Sequence, residues 1–370
     1  MIGLIPVENN DVLAAVRGFL RQLMESGLVD ALYVPLEAEG GVVTPALVTD
    51  AKLLERSNPL SPAMPINAAR PVAELTGKRA PVHTGAVMRS CEMRALIELV
   101  KLQQSSLEDV ILIGIDCPGT YEWTEFNRLQ RSGALDLPTY LAAASRGETW
   151  EAQPLRPACQ MCTLPVPERA DIHLHLFGAD LTSGIPVSLG NEIAEVLHIG
   201  EAGGTSGRQA VLDQLIAQRD QARQREFAAM RQRLSAANGF AEVFATCIRC
   251  HNCSTACPIC YCKTCLFCTG SFDHEPEHFL NAARRKGATR LFGDTLLFHL
   301  TRLNHMSASC VSCGMCTSAC PADIPVGLLF SVIGGDVQNA FGYSPGRELS
   351  EPLPLITFQA DEWTEVGERR

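Results

Sequence analysis

Residues 247–258 read CIRCHNCSTACP, and residues 310–321 read CVSCGMCTSACP. Both stretches follow the pattern C-x2-C-x2-C-x3-C-P, and the two copies begin 63 positions apart. Three thiolates at this spacing can bind three corners of a 4Fe-4S cube, and the fourth, set off by the longer gap and the proline, binds the other cube. The two repeats therefore predict two clusters.

Each predicted cluster takes three thiolates from one repeat and one from the other. The first uses Cys247, Cys250, Cys253 and Cys320, and the second uses Cys310, Cys313, Cys316 and Cys257. Zinc is the alternative, but zinc sites usually show two separated cysteine pairs, not four-cysteine runs closed by proline. The 52 residues between Cys257 and Cys310 are too many for the loop of a compact bacterial ferredoxin. They indicate a helical ferredoxin domain.

Composition limits the class of protein. A chain of 370 residues is long enough for two or three domains. No apolar run reaches the roughly 18 to 20 residues of a membrane helix, and the N-terminal residues show no secretory signal, so we expect a cytoplasmic protein without a membrane span. Sixteen cysteines in a reducing compartment indicate metal ligands, because disulfides do not persist there. The net charge of -10 argues against nucleic acid as a partner.

The first 200 residues alternate strand and helix patterns, which predicts an α/β domain. Branched apolar runs predict strands, and apolar residues at spacings of three and four predict helices. The expected strands are 31–37, 41–48, 109–116 and 171–178, and the expected helices are 11–26, 91–104 and 293–306. A glycine-rich break at 201–208 precedes a charged helical stretch. We predict an α/β domain over 1–200, a helical linker over 201–240, a helical ferredoxin domain over 241–345 and an extended tail over 346–370.

A second set of cysteines lies in the α/β region. It consists of Cys91, Cys117, Cys159 and Cys162. Taken singly, each is more often a small buried apolar residue than a ligand. Two of them fall where strands meet turns or helix starts, which is a common place for sites in open α/β sheets.

These residues carry a resemblance to a known family. A strand followed by CEMRAL, a second strand ending in DC-x-GT, and CQMC shortly before ADI resemble the beta subunits of deazaflavin-coenzyme hydrogenases and dehydrogenases, which include formate dehydrogenase beta subunits. The resemblance covers nearly the whole chain. It implies FAD and a third 4Fe-4S cluster in the α/β domain, with Cys91, Cys117, Cys159 and Cys162 as the cluster ligands.

The resemblance also places the flavin near segments 48–52, 60–67 and 88–94. The polar residues expected to bind it are Thr49, Lys52, Ser61, Asn67, Arg89 and Arg94. A guanidinium matches phosphate oxygens as a bidentate fork, so Arg89 or Arg94 is a candidate partner of the pyrophosphate. The alternative is that either arginine balances acidic surface or cluster charge.

Four cysteines remain, in the segment CYCKTCLFC. They are Cys260, Cys262, Cys265 and Cys268. Their spacing could wrap a fourth cube. The alternatives are a zinc site, thiols that shield the neighbouring cluster, and a redox-active pair.

The expected function is electron transfer as an oxidoreductase subunit. Flavins exchange electron pairs on one side and single electrons on the other, while clusters carry one electron at a time. We expect the chain to connect a diffusible carrier, which is a deazaflavin, a nicotinamide or a ferredoxin, to a partner redox subunit. The resemblance implies that this partner belongs to a formate dehydrogenase, hydrogenase or heterodisulfide-reductase-like complex. The rival hypothesis is a flavin-free iron-sulfur electron-transfer or scaffold subunit.

Overall fold

A mixed sheet of seven strands organises the N-terminal half. The computed structural model describes residues 1–38, 41–148, 150, 154–201, 207–291 and 293–355. The strands are β1 Ile2–Pro6, β2 Ala31–Glu37, β3 Val43–Val48, β4 Thr84–Met88, β5 Val110–Ile115, β6 Ile172–Leu174 and β7 Gly184–Leu189. Their order across the sheet is β1-β7-β6-β5-β4-β2-β3.

The four middle strands, β2, β4, β5 and β6, run parallel, and each edge is antiparallel. All five residues of β4 are buried, as expected for a parallel strand covered on both faces. The register pairs Thr84 with Val110 and Met88 with Gly114. The carboxyl ends of β4 and β5 therefore lie side by side.

Fourteen helices are present in the described residues. The N-terminal half holds α1 Val12–Glu25, α2 Ala69–Thr76, α3 Ser90–Lys101, α4 Trp123–Arg131, α5 Leu137–Ser145, α6 Pro157–Gln160 and α7 Asn191–Val196. The rest of the chain holds α8 Arg208–Ser235, α9 Gly239–Val243, α10 Asn252–Thr255, α11 Pro276–Lys286, α12 Thr295–Met306, α13 Met315–Ser318 and α14 Val326–Ala340. The expected α/β class with a helical C-terminal region is confirmed. No described helix combines the length and the apolar character that crossing a membrane requires.

The helices follow the apolar periodicity of the sequence. In α1 the side chain of Asp11 accepts a hydrogen bond from the backbone N–H of Ala14, which caps the helix. The buried residues of α1 recur at spacings of three and four and include Val16, Leu20 and Leu23. The long helix α8 is largely charged, and its buried apolar residues are Leu212, Leu215, Phe227 and Met230.

The expected strands differ from the structure in two respects. The strand expected over 171–178 ends at Leu174, because the backbone N–H groups of Leu176 and Phe177 donate to the carboxylate of Asp116 instead of a neighbouring strand. The antiparallel strands β1 and β7 were not expected at all. The proposed domain limits remain predictions, and residues 202–206 and 356–370 lie outside the described residues.

Candidate metal centre and cofactor sites

The carboxyl edge of the sheet brings the α/β cysteines together. Cys91 lies in the first turn of α3, directly after β4, and Cys117 follows β5 by two residues. Cys159 lies on the short helix α6, and its loop is fixed to the sheet where Arg156 N donates to Thr120 O over 2.9 Å. Cys117, Cys159 and Cys162 line a cavity of about 440 Å³ together with Cys91. We call Cys91, Cys117, Cys159 and Cys162 the sheet group.

Burial disfavours free thiolates in the sheet group. It raises the pKa of Cys117 to about 12 and that of Cys91 well above its usual value. Cys159 differs, since Arg156 and Thr120 outweigh burial and lower its pKa. A bound metal would favour the thiolate forms that ligation requires. The donor set, four sulfurs that line one cavity, therefore fits an iron-sulfur cluster.

The two repeats exchange their fourth cysteines in space. Cys320 lines a small cavity with Cys247, Cys250 and Cys253. After burial, the charge of Cys257 contributes to the raised pKa of Cys316, and it acts in the same direction on Cys310 and Cys313. We call Cys247, Cys250, Cys253 and Cys320 the first repeat group. We call Cys310, Cys313, Cys316 and Cys257 the second repeat group. The structure brings together the residues of each predicted ligand set, and metal binding by them stays a prediction.

The sheet group and the second repeat group lie against each other. Cys310 and Cys313 line the same cavity as Cys91, and the charge of Cys313 contributes to the raised pKa of Cys91 after burial and Glu92. The backbone at Gly314 comes so close to α6 that a Cβ on Gly314 would lie 2.3 Å from the Cβ of Ala158. Gly314 also has a φ of +73°, which favours glycine. Contact between the two groups thus depends on backbone that only glycine allows.

Arg156 lies between these two groups. Its side chain is buried, and it donates through Nε to Thr120 Oγ1 (2.8 Å) and through Nη1 to Met315 Sδ (3.2 Å). Nη2 lies 3.6 Å from Cys159 Sγ. Burial alone would lower the pKa of Arg156, but the negative charges of Cys159, Cys91 and Cys313 raise it overall. The residue is therefore a buried cation shared by two sulfur sets, and no sequence pattern indicated it.

The first repeat group has its own buried partners on α12. Arg302 donates to Cys253 through Nη1–H to Sγ and through Nη2–H to the carbonyl oxygen, both at 3.0 Å. His299 Nε2 lies 3.4 Å from Cys247 Sγ, and its ring stacks on Phe244 at 3.7 Å between centroids. Burial, followed by the charge of Arg302, lowers the pKa of His299 to about 3, so the ring is neutral.

Sulfur spacing separates the cluster interpretation from zinc. Zinc binds thiolates at about 2.3 Å, which places the sulfurs of a tetrahedral site about 3.8 Å apart. Among the residues that the structure describes, the one group of three or more potential ligands whose donor atoms all lie within 4.8 Å is Asp116, His173 and His175. All sixteen cysteines are described, so no three of their sulfurs are that close. This arrangement disfavours four-thiolate zinc sites.

Asp116, His173 and His175 form a buried polar network. Asp116 accepts hydrogen bonds from His173 Nε2 (2.9 Å), from the backbone of Leu176 and from Arg208, whose Nη2 lies 2.8 Å from Oδ1. Burial alone would raise the pKa of Asp116, but Arg208 and His173 lower it overall. Because the carboxylate is already occupied by a guanidinium, a metal ion is disfavoured. The network instead fixes the end of β5 directly before Cys117 and ties it to the start of α8.

Replacing Asp116 with asparagine should test this anchoring role. The amide carries no charge for Arg208, so we expect a loss of about 1.5–3 kcal/mol in the free energy of unfolding, the range for hydrogen bonds to charged groups. Anaerobic denaturant unfolding of the cluster-loaded protein measures it. Asp213→Asn is the matched control, since Asp213 is exposed on α8 and accepts a hydrogen bond from Gln209. Equal unfolding free energies for the two variants would contradict the role.

The residues predicted to bind flavin do not surround one cavity. Thr49 and Lys52 are exposed, whereas Ser61 and Asn67 are buried. Arg89 Nη2 donates to the carbonyl oxygens of Ser61 (2.7 Å) and Ala63 (2.9 Å). The cavities beside Arg89 measure only about 10 Å³ each, too small for a flavin ring.

Other features of these segments suit a polar ligand. Within the described part of the chain, the buried atoms Ser61 Oγ, Asn67 Nδ2 and Ser90 Oγ have no hydrogen-bond partner. Arg94 lines the 440 Å³ cavity beside Cys91, and its Nη2 donates to Val311 O over 3.0 Å. The flavin assignment for all six residues stays a prediction.

Comparison with known proteins finds two curated relatives of nearly equal length. The chain is 24% identical to the F420-dependent formate dehydrogenase subunit beta of Methanocaldococcus jannaschii, over 96% of this chain and 99% of the relative. It is 23% identical to the F420-dependent formate dehydrogenase 1 subunit beta of Methanococcus maripaludis, over 94% of each. No family model matches the chain. A chain of the F420-reducing NiFe hydrogenase complex from Methanosarcina barkeri aligns with a TM-score of 0.44 and 12% identity, over 63% of this chain and 91% of that one.

The resemblance expected from the sequence is confirmed. The chain is homologous to F420-dependent formate dehydrogenase beta subunits over almost its whole length. Both relatives are named as formate dehydrogenase subunits, which supports the predicted oxidoreductase subunit.

Proposed function

We propose that the chain is an iron-sulfur flavoprotein subunit that moves electrons between a diffusible two-electron carrier and a partner redox subunit. The observation that carries the proposal is the adjacency of the sheet group to the second repeat group, with the buried cation of Arg156 between them. Two four-sulfur sets in contact are arranged for transfer from one to the other, which an isolated structural site does not need. The first repeat group extends the series, because Cys257 and Cys320 cross between the repeats.

In this proposal the chain holds three 4Fe-4S clusters and one FAD. The sheet group, the first repeat group and the second repeat group each hold one cluster. When bound, the clusters supply one-electron exchange and the flavin supplies exchange of electron pairs. The protein holds the sulfurs of each group together and supplies buried cations at Arg156 and Arg302. These features set reduction potentials, because charge and hydrogen bonds to cluster sulfurs tune them.

The relatives suggest the carrier and the partner. Both are named as F420-dependent formate dehydrogenase subunits, so we assign a deazaflavin as the carrier and a formate dehydrogenase catalytic subunit as the partner. Nicotinamide and ferredoxin carriers, and hydrogenase or heterodisulfide-reductase-like partners, are the alternatives to exclude. Reduction assays with each purified carrier distinguish them.

A flavin-free electron-transfer subunit is the second candidate function. It is favoured by the small size of the cavities at Arg89, near residues 60–67. The unpartnered atoms Ser61 Oγ, Asn67 Nδ2 and Ser90 Oγ favour the flavoprotein instead, because buried polar groups are normally hydrogen-bonded. Flavin content decides between the two.

Full-length protein purified without oxygen should release about one flavin per chain on denaturation, if one FAD supplies the pair exchange. We expect Arg94→Ala to lower flavin content while iron content is retained, since Arg94 lines the cavity beside Cys91. Arg89→Ala tests the other predicted arginine in the same way. Arg146→Ala is the control, because Arg146 is exposed and pairs with Glu148. Cluster-loaded protein that releases no flavin would establish the flavin-free function, and full flavin in both variants would exclude these arginines.

A further inference from the structure

Residues 260–268 contain a third copy of the three-cysteine spacing that begins each repeat. Cys262, Cys265 and Cys268 follow C-x2-C-x2-C, the same spacing as Cys247, Cys250 and Cys253. Cys260 precedes this triplet by two residues, so a fourth thiol is at hand. All four cysteines are free, and none belongs to the three groups described above. We call Cys260, Cys262, Cys265 and Cys268 the fourth group.

The fold holds the fourth group in a packed segment. Phe267, between Cys265 and Cys268 in the sequence, is buried. Its ring stacks on Phe272 and meets Phe298 of α12 edge-on, with centroid distances of 5.0 and 5.3 Å. The Leu266–Cys268 turn is a 3-10 helix that begins after Cys265. These contacts fix the backbone between the thiols, as a ligand loop requires.

Hydrogen bonds and packing also hold the cysteines of the fourth group in place. Cys268 N donates to Cys265 O over 2.9 Å, so the last two thiols of the triplet lie on one turn. His251 Nδ1 lies 3.3 Å from Cys268 Sγ. Cys260 and Cys265 pack against the same apolar core as Cys257. The segment is therefore folded around its cysteines.

We infer that Cys260, Cys262, Cys265 and Cys268 bind a fourth 4Fe-4S cluster. This inference extends the proposed function and rests on it for the presence of the other clusters. The triplet spacing is the one that wraps three corners of a cube, and no three of the four sulfurs lie within the 4.8 Å that would suit a zinc tetrahedron. On binding, the four thiols lose their protons and act as thiolates.

The position of this cluster suggests its role. Cys260 N donates to Cys257 O over 3.2 Å, which links the fourth group to the second repeat group. His251 lies between Cys250 and Cys253 in sequence and touches Cys268, which links it to the first repeat group. Cys262 and Cys268 are exposed, as is the side chain of Leu266. Two of its four thiols are thus exposed, so the fourth cluster would lie at the surface, where it would form the outlet to a partner protein.

The test uses full-length protein loaded with iron and sulfide under anaerobic conditions. Wild-type protein should hold about sixteen iron atoms per chain, and the double variant Cys262→Ser, Cys268→Ser about twelve, because each cube contains four. Both replaced residues are exposed, so the fold should tolerate the change. Sulfide should fall in parallel, and the EPR signals of the remaining clusters should persist. If the double variant does not fold, iron is measured in the single variant Cys262→Ser instead.

Two controls make the result decisive. Ser271→Ala, in the turn next to the fourth group, should leave iron at the wild-type value. Cys313→Ser, Cys316→Ser should also lose about four iron atoms, which shows that serine replacement at a bound cluster is detected. About twelve iron atoms in both wild-type protein and the fourth-group variant would overturn the inference while leaving the proposed function intact. Loss of one zinc with iron unchanged would overturn it as well. Wild-type protein with no iron-sulfur signal would overturn the proposed function itself.

Discussion

Arg156→Met is expected to lower the reduction potentials of two clusters at once, those of the sheet group and the second repeat group. Arg156 is buried and lies 3.6 Å from Cys159 Sγ and 3.2 Å from Met315 Sδ, next to Cys316. A nearby cation stabilises the reduced, more negative state of a cluster. Methionine keeps much of the side-chain volume and removes the charge. If Arg156 acted on one cluster alone, one reduction potential would shift. Its position between the sheet group and the second repeat group predicts that two will shift.

The size of the effect follows from the short distances. At an effective dielectric constant of about 20, a unit charge at 4 Å contributes about 4 kcal/mol, and about half of that at twice the distance. Either value exceeds the 1.36 kcal/mol that corresponds to about 59 mV, a tenfold change for one electron. Redox titration followed by EPR on anaerobic protein measures both potentials.

Arg146→Met is the matched control for Arg156→Met. The side chain of Arg146 is 59% exposed and pairs with Glu148, so neither potential should move. Two potentials unchanged in Arg156→Met, or a shift equal to that of the control, would show that Arg156 does not act on the clusters. A shift confined to the sheet group would remove the bridging role but keep the contact with Cys159.

The sequence predicted the cysteine sets because ligand spacing is local information. Three residues per step in C-x2-C-x2-C set which thiols face one site, and the cross-over of Cys257 and Cys320 follows from the longer final gap. The strands β2 and β5 could also be predicted from the sequence, since buried parallel strands are near-continuous apolar runs. The antiparallel strand β7, GIPVSL, which lies between β1 and β6, contains glycine and proline and lacked such a signal.

The charged partners of the cysteines could not be predicted from the sequence. Arg156 precedes Cys159 by three residues, but its contact with Met315 joins positions 159 residues apart. Arg302 reaches Cys253 across 49 residues. Such contacts depend on how the sheet, α12 and α13 pack. The sequence alone does not distinguish an arginine that lies between two cysteine groups from an arginine at the surface. The flavin residues illustrate the same limit, since Thr49 and Ser61 are close in sequence but differ fully in burial.

The cross-over of the repeats predicts which pairs of cysteine replacements act on one cluster. Cys257→Ala together with Cys310→Ala should remove about four iron atoms per chain, no more than either replacement alone, because both residues serve the second repeat group. Cys257→Ala together with Cys247→Ala should remove about eight, because Cys247 serves the first repeat group. Alanine is used here because the comparison includes single replacements, and a single serine can still bind iron through its oxygen, whereas the serine variants above replace two ligands of one cluster.

The reciprocal pairs provide the control within the same protein. Cys320→Ala with Cys247→Ala should remove about four iron atoms, and Cys320→Ala with Cys310→Ala about eight. The pattern rests on the cavity that Cys320 shares with Cys247, Cys250 and Cys253, and on the charge of Cys257 at Cys310 and Cys316. If each repeat instead used its own four cysteines, the two outcomes would exchange, with Cys257 and Cys247 losing about four together. Iron and sulfide analysis of anaerobic, full-length protein separates the arrangements, since non-additive loss identifies residues that share a cluster.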